Sequence, residues 1–140
     1  MAAEEVLAYT TEIRVRYAET DKMGIVYNGN YLTYFEIGRT SLLRSLGLPY
    51  SEVERRGYGL PLLEAHIRYV QPARYDDLLQ LTTSYADVDG LRLRLSYDLR
   101  RGADQIAEGH TLHIFARNDT FRPTRPPAFF TECVRRRPAG

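Results

Sequence analysis

The residues with the most chemical promise lie between Asp21 and Asn30. Asp21 stands in a short loop ahead of a helical pattern predicted to begin at Gly29 or Asn30. The first turn of a helix carries unpaired N–H groups and the positive end of the helix dipole. A carboxylate beside such an end suits attack on a carbonyl. The carboxylate attacks or activates water, and the N–H groups receive the charge developing on oxygen. Spacing alone leaves a second reading open, because an aspartate in a loop is commonly a turn or cap residue.

Other chemistry is sparse. His66, His110 and His113 all fall in strand-like runs. His110 and His113 are three apart, so they face opposite sides of a strand, and no metal site is expected. Neither a Gly-x-Ser-x-Gly elbow nor a glycine-rich phosphate loop occurs. Cys133 reads as a partly buried small hydrophobe. Glu36 and Arg39 are placed for a structural ion pair, and Arg74 with Asp76 and Asp77 for a turn.

The formal net charge of +1 supports neither nucleic acid nor an anionic membrane as a partner. One cysteine excludes an internal disulfide and fits a reducing compartment. The N-terminus has no apolar core, and no run approaches the ~20 residues a membrane span needs. A soluble cytoplasmic protein is expected. Basic residues are eighteen arginines and the single Lys22, a bias that genome composition explains as readily as function.

The elements that must position Asp21 can be read from periodicity. Residues 1–9 are expected to be frayed. Thr11–Tyr17 alternates, with Ile13, Val15 and Tyr17 on one face of a strand. Asn28-Gly29-Asn30 supplies turn chemistry and an Asn side chain to cap the helix. The helix should run to about Leu46, with Tyr31, Tyr34, Phe35, Gly38, Leu42 and Leu46 as its apolar stripe, widened by Leu32, Ile37 and Leu43. So wide a stripe predicts a helix wrapped by sheet. Gly38 predicts a close approach to another backbone, and Gly47 a C-cap before Pro49.

A short second helix is expected over Ser51–Arg56. From Leu60 the period changes to two, with strands through Ala65–Tyr69, Leu79–Tyr85, Leu91–Leu99 and Gln105–Ala116. Asp89-Gly90 and Arg101–Asp104 mark the turns of a meander, and Gly109 permits a bend or bulge. Residues Asn118–Pro127 read as extended, and Pro126–Arg137 as a closing helix. The fold class is α+β: an antiparallel sheet of about five strands around one long helix. It forms a single domain over 1–140, with a core at about 11–117 and a tail at 118–140. An open sheet edge remains, and pairing across a dimer would cover it.

Tyr17-x-x-Thr20-Asp21-x-x-Gly24-x-Val26-Tyr27-x-x-Asn30-Tyr31 resembles the hot-dog-fold acyl-CoA thioesterases of the 4-hydroxybenzoyl-CoA thioesterase / YbgC type. Tyr34-Phe35-Glu36-x-x-Arg39 and Pro72-Ala73-Arg74-Tyr75-Asp76-Asp77 are similar to that family too. The resemblance spans roughly Thr11–Arg117. It implies a hot-dog fold and hydrolysis of a thioester to a free acid and CoA, with no cofactor, since coenzyme A is part of the substrate. It implies that Asp21 is the catalytic carboxylate and that the backbone N–H of Asn28 polarises the thioester carbonyl, with Tyr27 and Gly29 beside it. The family often has histidine or tyrosine at position 28, so asparagine is a departure.

The resemblance also implies a homodimer with active sites at the interface, and a dimer of dimers. Tyr58, Leu62 and Leu63 become candidates for an acyl pocket, and Arg122 and Arg125 for contacts with CoA phosphates. Two other functions compete. A hot-dog hydratase or dehydratase would need a histidine near the loop, and residues 18–30 contain none. A non-catalytic acyl-CoA-binding domain has no need of Asp21 in the motif.

Overall fold

The computed structural model describes residues 7–135. One long helix, α1 (Asn30–Ser45), lies in the concave face of an antiparallel sheet. Five long strands make the sheet: β1 (Leu7–Arg14), β3 (Leu62–Tyr69), β4 (Leu78–Asp87), β5 (Arg92–Arg101) and β6 (Asp104–Arg117), ordered β1-β4-β5-β6-β3. Two strands of two residues, β2 (Tyr58–Gly59) and β7 (Pro123–Thr124), pair with the far end of β6. A six-residue helix, α2 (Tyr50–Arg55), and a closing helix, α3 (Ala128–Arg135), complete the fold. This is the α+β hot-dog arrangement that the motifs imply.

α1 is helical because its apolar residues recur at three-to-four spacing and must be buried together. Tyr31, Tyr34, Phe35, Gly38 and Leu42 all face the sheet. They meet Leu79, Leu81, Leu95, Tyr97, Leu99 and Ile106 from its inner face. Phe35 stacks on Tyr97 with centroids 4.1 Å apart and planes within 3°, a pair worth about 1 kcal/mol beyond its burial. Leu32 and Ile37 stay exposed, so the apolar stripe is narrower than its composition suggests. The helix stops at Gly47, where φ is +80°. There the Gly47 and Leu48 N–H groups donate to the Arg44 and Leu43 carbonyls, and both leucines pack into a second cluster with Val53, Phe115 and Phe130. α3 therefore seals one end of the core instead of trailing from it.

Several local expectations are corrected. Leu7–Tyr9 belong to β1, whereas residues 1–6 of the expected frayed end lie outside the described residues. β1 ends at Arg14, and Tyr17 begins a 3₁₀ turn (Tyr17–Glu19), so its ring is exposed against Tyr75 instead of buried. Gly38 approaches side chains, not backbone: a Cβ there would lie 2.3 Å from Thr83 Oγ1 and 2.6 Å from Leu81 Cδ2. Gly109, by contrast, meets backbone, the His66 carbonyl, and marks no bulge: the sheet's irregularities fall at Leu62/Glu64 and Leu99/Arg100. The closing helix begins at Ala128, and residues 136–137 of its expected span lie outside the described residues.

Candidate active site

The loop from Ala18 to Gly29 is tied down mainly by Glu19. Its carboxylate accepts from the Arg16 backbone N–H (2.8 Å), the Arg16 guanidinium (2.9 and 3.0 Å) and the Tyr34 hydroxyl (2.9 Å). Its carbonyl accepts from Tyr27 N–H and from the Asn30 side-chain amide (2.8 Å). Glu19 thus joins the 3₁₀ turn, the loop and the first two turns of α1. Burial would raise its carboxyl, but the Arg16 and Tyr34 hydrogen bonds outweigh burial and hold it below the usual carboxylate range. Burial and the Glu19 carboxylate together push the Tyr34 hydroxyl up, so it stays protonated as the donor.

Asp21 sits in a tight turn closed by Gly24 N–H to its carbonyl, with Gly24 at φ +78°. Its Oδ1 accepts from Met23 N–H at 2.8 Å. Among the described residues nothing donates to Oδ2, which leaves one carboxylate oxygen free. The turn role and the chemical role open at the sequence level are therefore compatible: one oxygen holds the turn and the other is available. A short bridge from Thr20 to Val26 closes the loop on itself, and one from Ile25 to Arg74 fixes it against the segment after β3. Asp77 caps that segment by accepting from Arg74 N–H and Arg101.

The entrance of α1 has two backbone N–H groups, those of Asn28 and Gly29, with no acceptor among the described residues. No side chain caps it. The asparagine cap expected at Asn28–Asn30 does not form, because the Asn30 amide turns away and donates to the Glu19 carbonyl. On the other side of these peptides, the Tyr27 carbonyl accepts from Asn30 N–H (2.9 Å) and the Asn28 carbonyl from the Tyr69 hydroxyl (3.0 Å). A Cβ at Gly29 would meet the exposed Tyr27 ring at 2.9 Å, so any other residue there would displace that ring.

Asp21 and Asn28 open on the same cleft of about 430 Å³, walled by Met23, Ile25, Val26, Tyr31, Tyr69, Val70, Gln71 and Pro72. A carboxylate, unpaired helix N–H groups and an apolar wall in one place are what attack on an acyl carbonyl needs. Tyr27 is exposed at the rim, next to Gly29.

The remaining candidates lie elsewhere in a single chain. Tyr58 lines a different cleft, with Tyr50, Leu60, Pro61, Arg117 and Phe121. Leu62 and Leu63 are 50% and 48% exposed at the start of β3, an edge strand. Arg122 and Arg125 are exposed on either side of β7. Arg39 turns from Glu36 to donate to Tyr97 (3.2 Å). His113 is buried, bonded to Thr111 and the Leu60 carbonyl, while His66 and His110 are register partners on the outer sheet face. Sequence reasoning missed Glu19 and Tyr69. Glu19 lies within the first motif stretch and Tyr69 just ahead of the Pro72–Asp77 stretch, but only the fold shows what their oxygens bond to.

Layered α1 and sheet, with the loop carboxylate at the helix entrance, define the hot-dog class. The family profile of the thioesterase-like superfamily matches residues 15–134, and the chain belongs to that superfamily. It is 37% identical over 113 residues to the putative acyl-CoA thioesterase YneP of Bacillus subtilis, covering 80% of this chain and 82% of the relative. A putative esterase of Aquifex aeolicus is 34% identical over 105 residues, covering 75% and 82%. Among solved structures, a hypothetical protein from Thermus thermophilus superposes with a TM-score of 0.86 at 32% identity, over 95% of this chain and 99% of that one. The DHNA-CoA thioesterase of Staphylococcus aureus superposes with a TM-score of 0.86 at 31% identity, over 92% and 89%.

Proposed function

We propose that the protein hydrolyses an acyl-CoA thioester to a carboxylic acid and coenzyme A. The observation that carries this is the meeting of the free Asp21 oxygen and the unpaired Asn28 N–H in one cleft. Superfamily membership and the likeness to proteins named acyl-CoA thioesterases support it. The thioester carbonyl oxygen points at the helix entrance. Either Asp21 bonds to the carbonyl carbon, or it takes a proton from the water that does. The negative charge forms on oxygen beside the Asn28 N–H and the positive helix end. The carbon–sulfur bond then breaks, and the CoA thiolate leaves without needing a general acid. In the first route water subsequently hydrolyses the anhydride. No metal or organic cofactor enters either route.

The complete site is assigned to a homodimer formed along β3. The free edge of this strand carries Leu62 and Leu63, with Val70 just beyond it, all exposed. Such an edge calls for a partner. If β3 pairs antiparallel with its own copy about a two-fold at the strand centre, Leu62 of the partner subunit falls opposite Tyr69. The candidates that one chain keeps apart then share a site: Asp21, Asn28, Gly29 and Tyr27 from one protomer, and Tyr58, Leu62 and Leu63 from the other. Arg122 and Arg125 extend it toward the CoA phosphates. The outer sheet face is left for a dimer of dimers. Among the described residues no helix is long and apolar enough to cross a membrane. A free cysteine and a CoA substrate suit the cytoplasm.

The test is turnover of an acyl-CoA panel, from short aliphatic to aromatic, followed by the released thiol. Thiol release on at least one member is expected. Tight binding without release on any would replace the hydrolase by a binding domain.

A further inference from the structure

The N–H groups of Asn28 and Gly29 are useful only if their peptides are held still, and the side chain that holds one of them comes from β3. The Tyr69 hydroxyl donates to the Asn28 carbonyl at 3.0 Å. The Tyr31 backbone N–H also donates to that oxygen, at a longer 3.4 Å. The Asn28 carbonyl and the Gly29 N–H belong to the same peptide plane. A bond on the oxygen side fixes the plane and polarises it, so the N–H on the opposite side becomes a stronger donor. The Tyr69 ring is itself held, edge-on to Tyr31 with centroids 5.0 Å apart at 88°. Tyr31 is buried against the core. Tyr69 also lines the cleft that Asp21 opens on.

Resting on the thioesterase reading, we propose that Tyr69 is a positioning residue. Its hydroxyl clamps the Asn28–Gly29 peptide so that the Gly29 N–H joins that of Asn28 in binding the oxyanion. The Tyr27–Asn28 peptide needs no such clamp, because Asn30 N–H already holds its carbonyl within the helix entrance. The oxyanion site is therefore built in two parts: one N–H aligned by the helix itself, the other by a tyrosine reaching across from the sheet.

Tyr69→Phe removes the hydroxyl and keeps the ring against Tyr31, so the fold is retained. Wild type and variant are compared on the best substrate of the panel, and on two CoA ligands with the same acyl chain. One is a trifluoromethyl ketone, which takes up a nucleophile to give a tetrahedral oxygen anion. The other is an S-alkyl thioether, which has no carbonyl. Loss of one aligned donor should lower kcat about tenfold and leave KM within about twofold. Affinity for the trifluoromethyl ketone should fall by the same factor as kcat, and affinity for the thioether should not change. Equal kcat in the two proteins overturns the clamp and leaves thioester hydrolysis standing. Equal weakening of both ligands, or a rise in KM matching the loss in kcat, overturns it in favour of a general structural role. A wild type that hydrolyses no thioester overturns both the clamp and the function it rests on.

Discussion

Glu19 ties the turn before Asp21 to Tyr27, Asn30 and Tyr34, and sequence reading passes over it. An acid in front of Thr20-Asp21 looks like one more polar loop residue, because its partner Tyr34 stands fifteen positions away. Glu19→Gln keeps the shape but loses the charge-assisted bonds from Arg16. The Arg16 side chain is largely exposed, so solvent screening leaves the pair worth roughly 1 kcal/mol or less; urea unfolding should show a loss of that order, and kcat should fall with it. The sign of the pH effect follows from its depressed carboxyl. The stabilisation is complete above the unfolded value of 4.5 and is lost as pH falls through the lower folded value. Acid unfolding of Glu19→Gln should therefore lack that component.

His113 acts in the same direction, but over a higher pH window. Burial, with the Arg39 guanidinium nearby, pushes its imidazole down to about 4 from 6.5. Between those values the unfolded chain takes a proton that the folded chain refuses, so stability falls as pH drops across that window. The full effect is on the order of 3 kcal/mol. Denaturant titrations at pH 7.5 and 5.5 should show this slope in wild type and its absence in His113→Gln. That Asp21 would lie close to the start of α1 was legible beforehand, because a spaced motif carries both, and the two line one cleft. The hydrogen bonds of Asn30 and Tyr69 were not legible, because an amide or a phenol can bond in several directions and only the fold selects one.

At the level of elements, α1 and the meander β4-β5-β6 were readable because burial on one face imposes periods of 3.6 and two. What periodicity does not encode is how closely two elements approach. Gly38 shows the difference. Helix propensity alone favours Gly38→Ala by about 1 kcal/mol. The added Cβ would collide with Thr83 and Leu81, deep in the sheet, and overpacking of this kind costs about 1–3 kcal/mol. The collision should win, and Gly38→Ala should lower the urea midpoint with m unchanged. A raised midpoint would show that β4 gives way easily. Tyr17 carries the complementary lesson. Alternation continued through it, but the bonds between Val15 and the Asp76–Asp77 turn, with Glu19 capping the next turn, end the strand early.

For the molecule as a whole, a single chain holds half of the proposed site. β3 is exposed along nearly its whole length, and the candidates for the acyl pocket sit at its start, away from Asp21. The pattern of one sheet on one helix implied an edge needing cover, but which edge, and what it would bring to the cleft, required the strand order. Leu63→Glu places a charge at the proposed contact. Sedimentation at micromolar concentration should show a dimer for wild type and a shift to monomer for the variant, with activity lost in parallel. A fully active monomer would overturn the shared site.

The central claim is that Asp21 supplies the carboxylate and the α1 entrance receives the charge. Its most direct test is the kcat of Asp21→Asn against wild type on the best acyl-CoA of the panel. Asparagine keeps the side-chain oxygen that accepts from Met23 N–H, so the turn survives while the reactive carboxylate is lost. A fall of at least ~100-fold, with the substrate still bound, is predicted. Equal turnover by the two proteins would contradict the account.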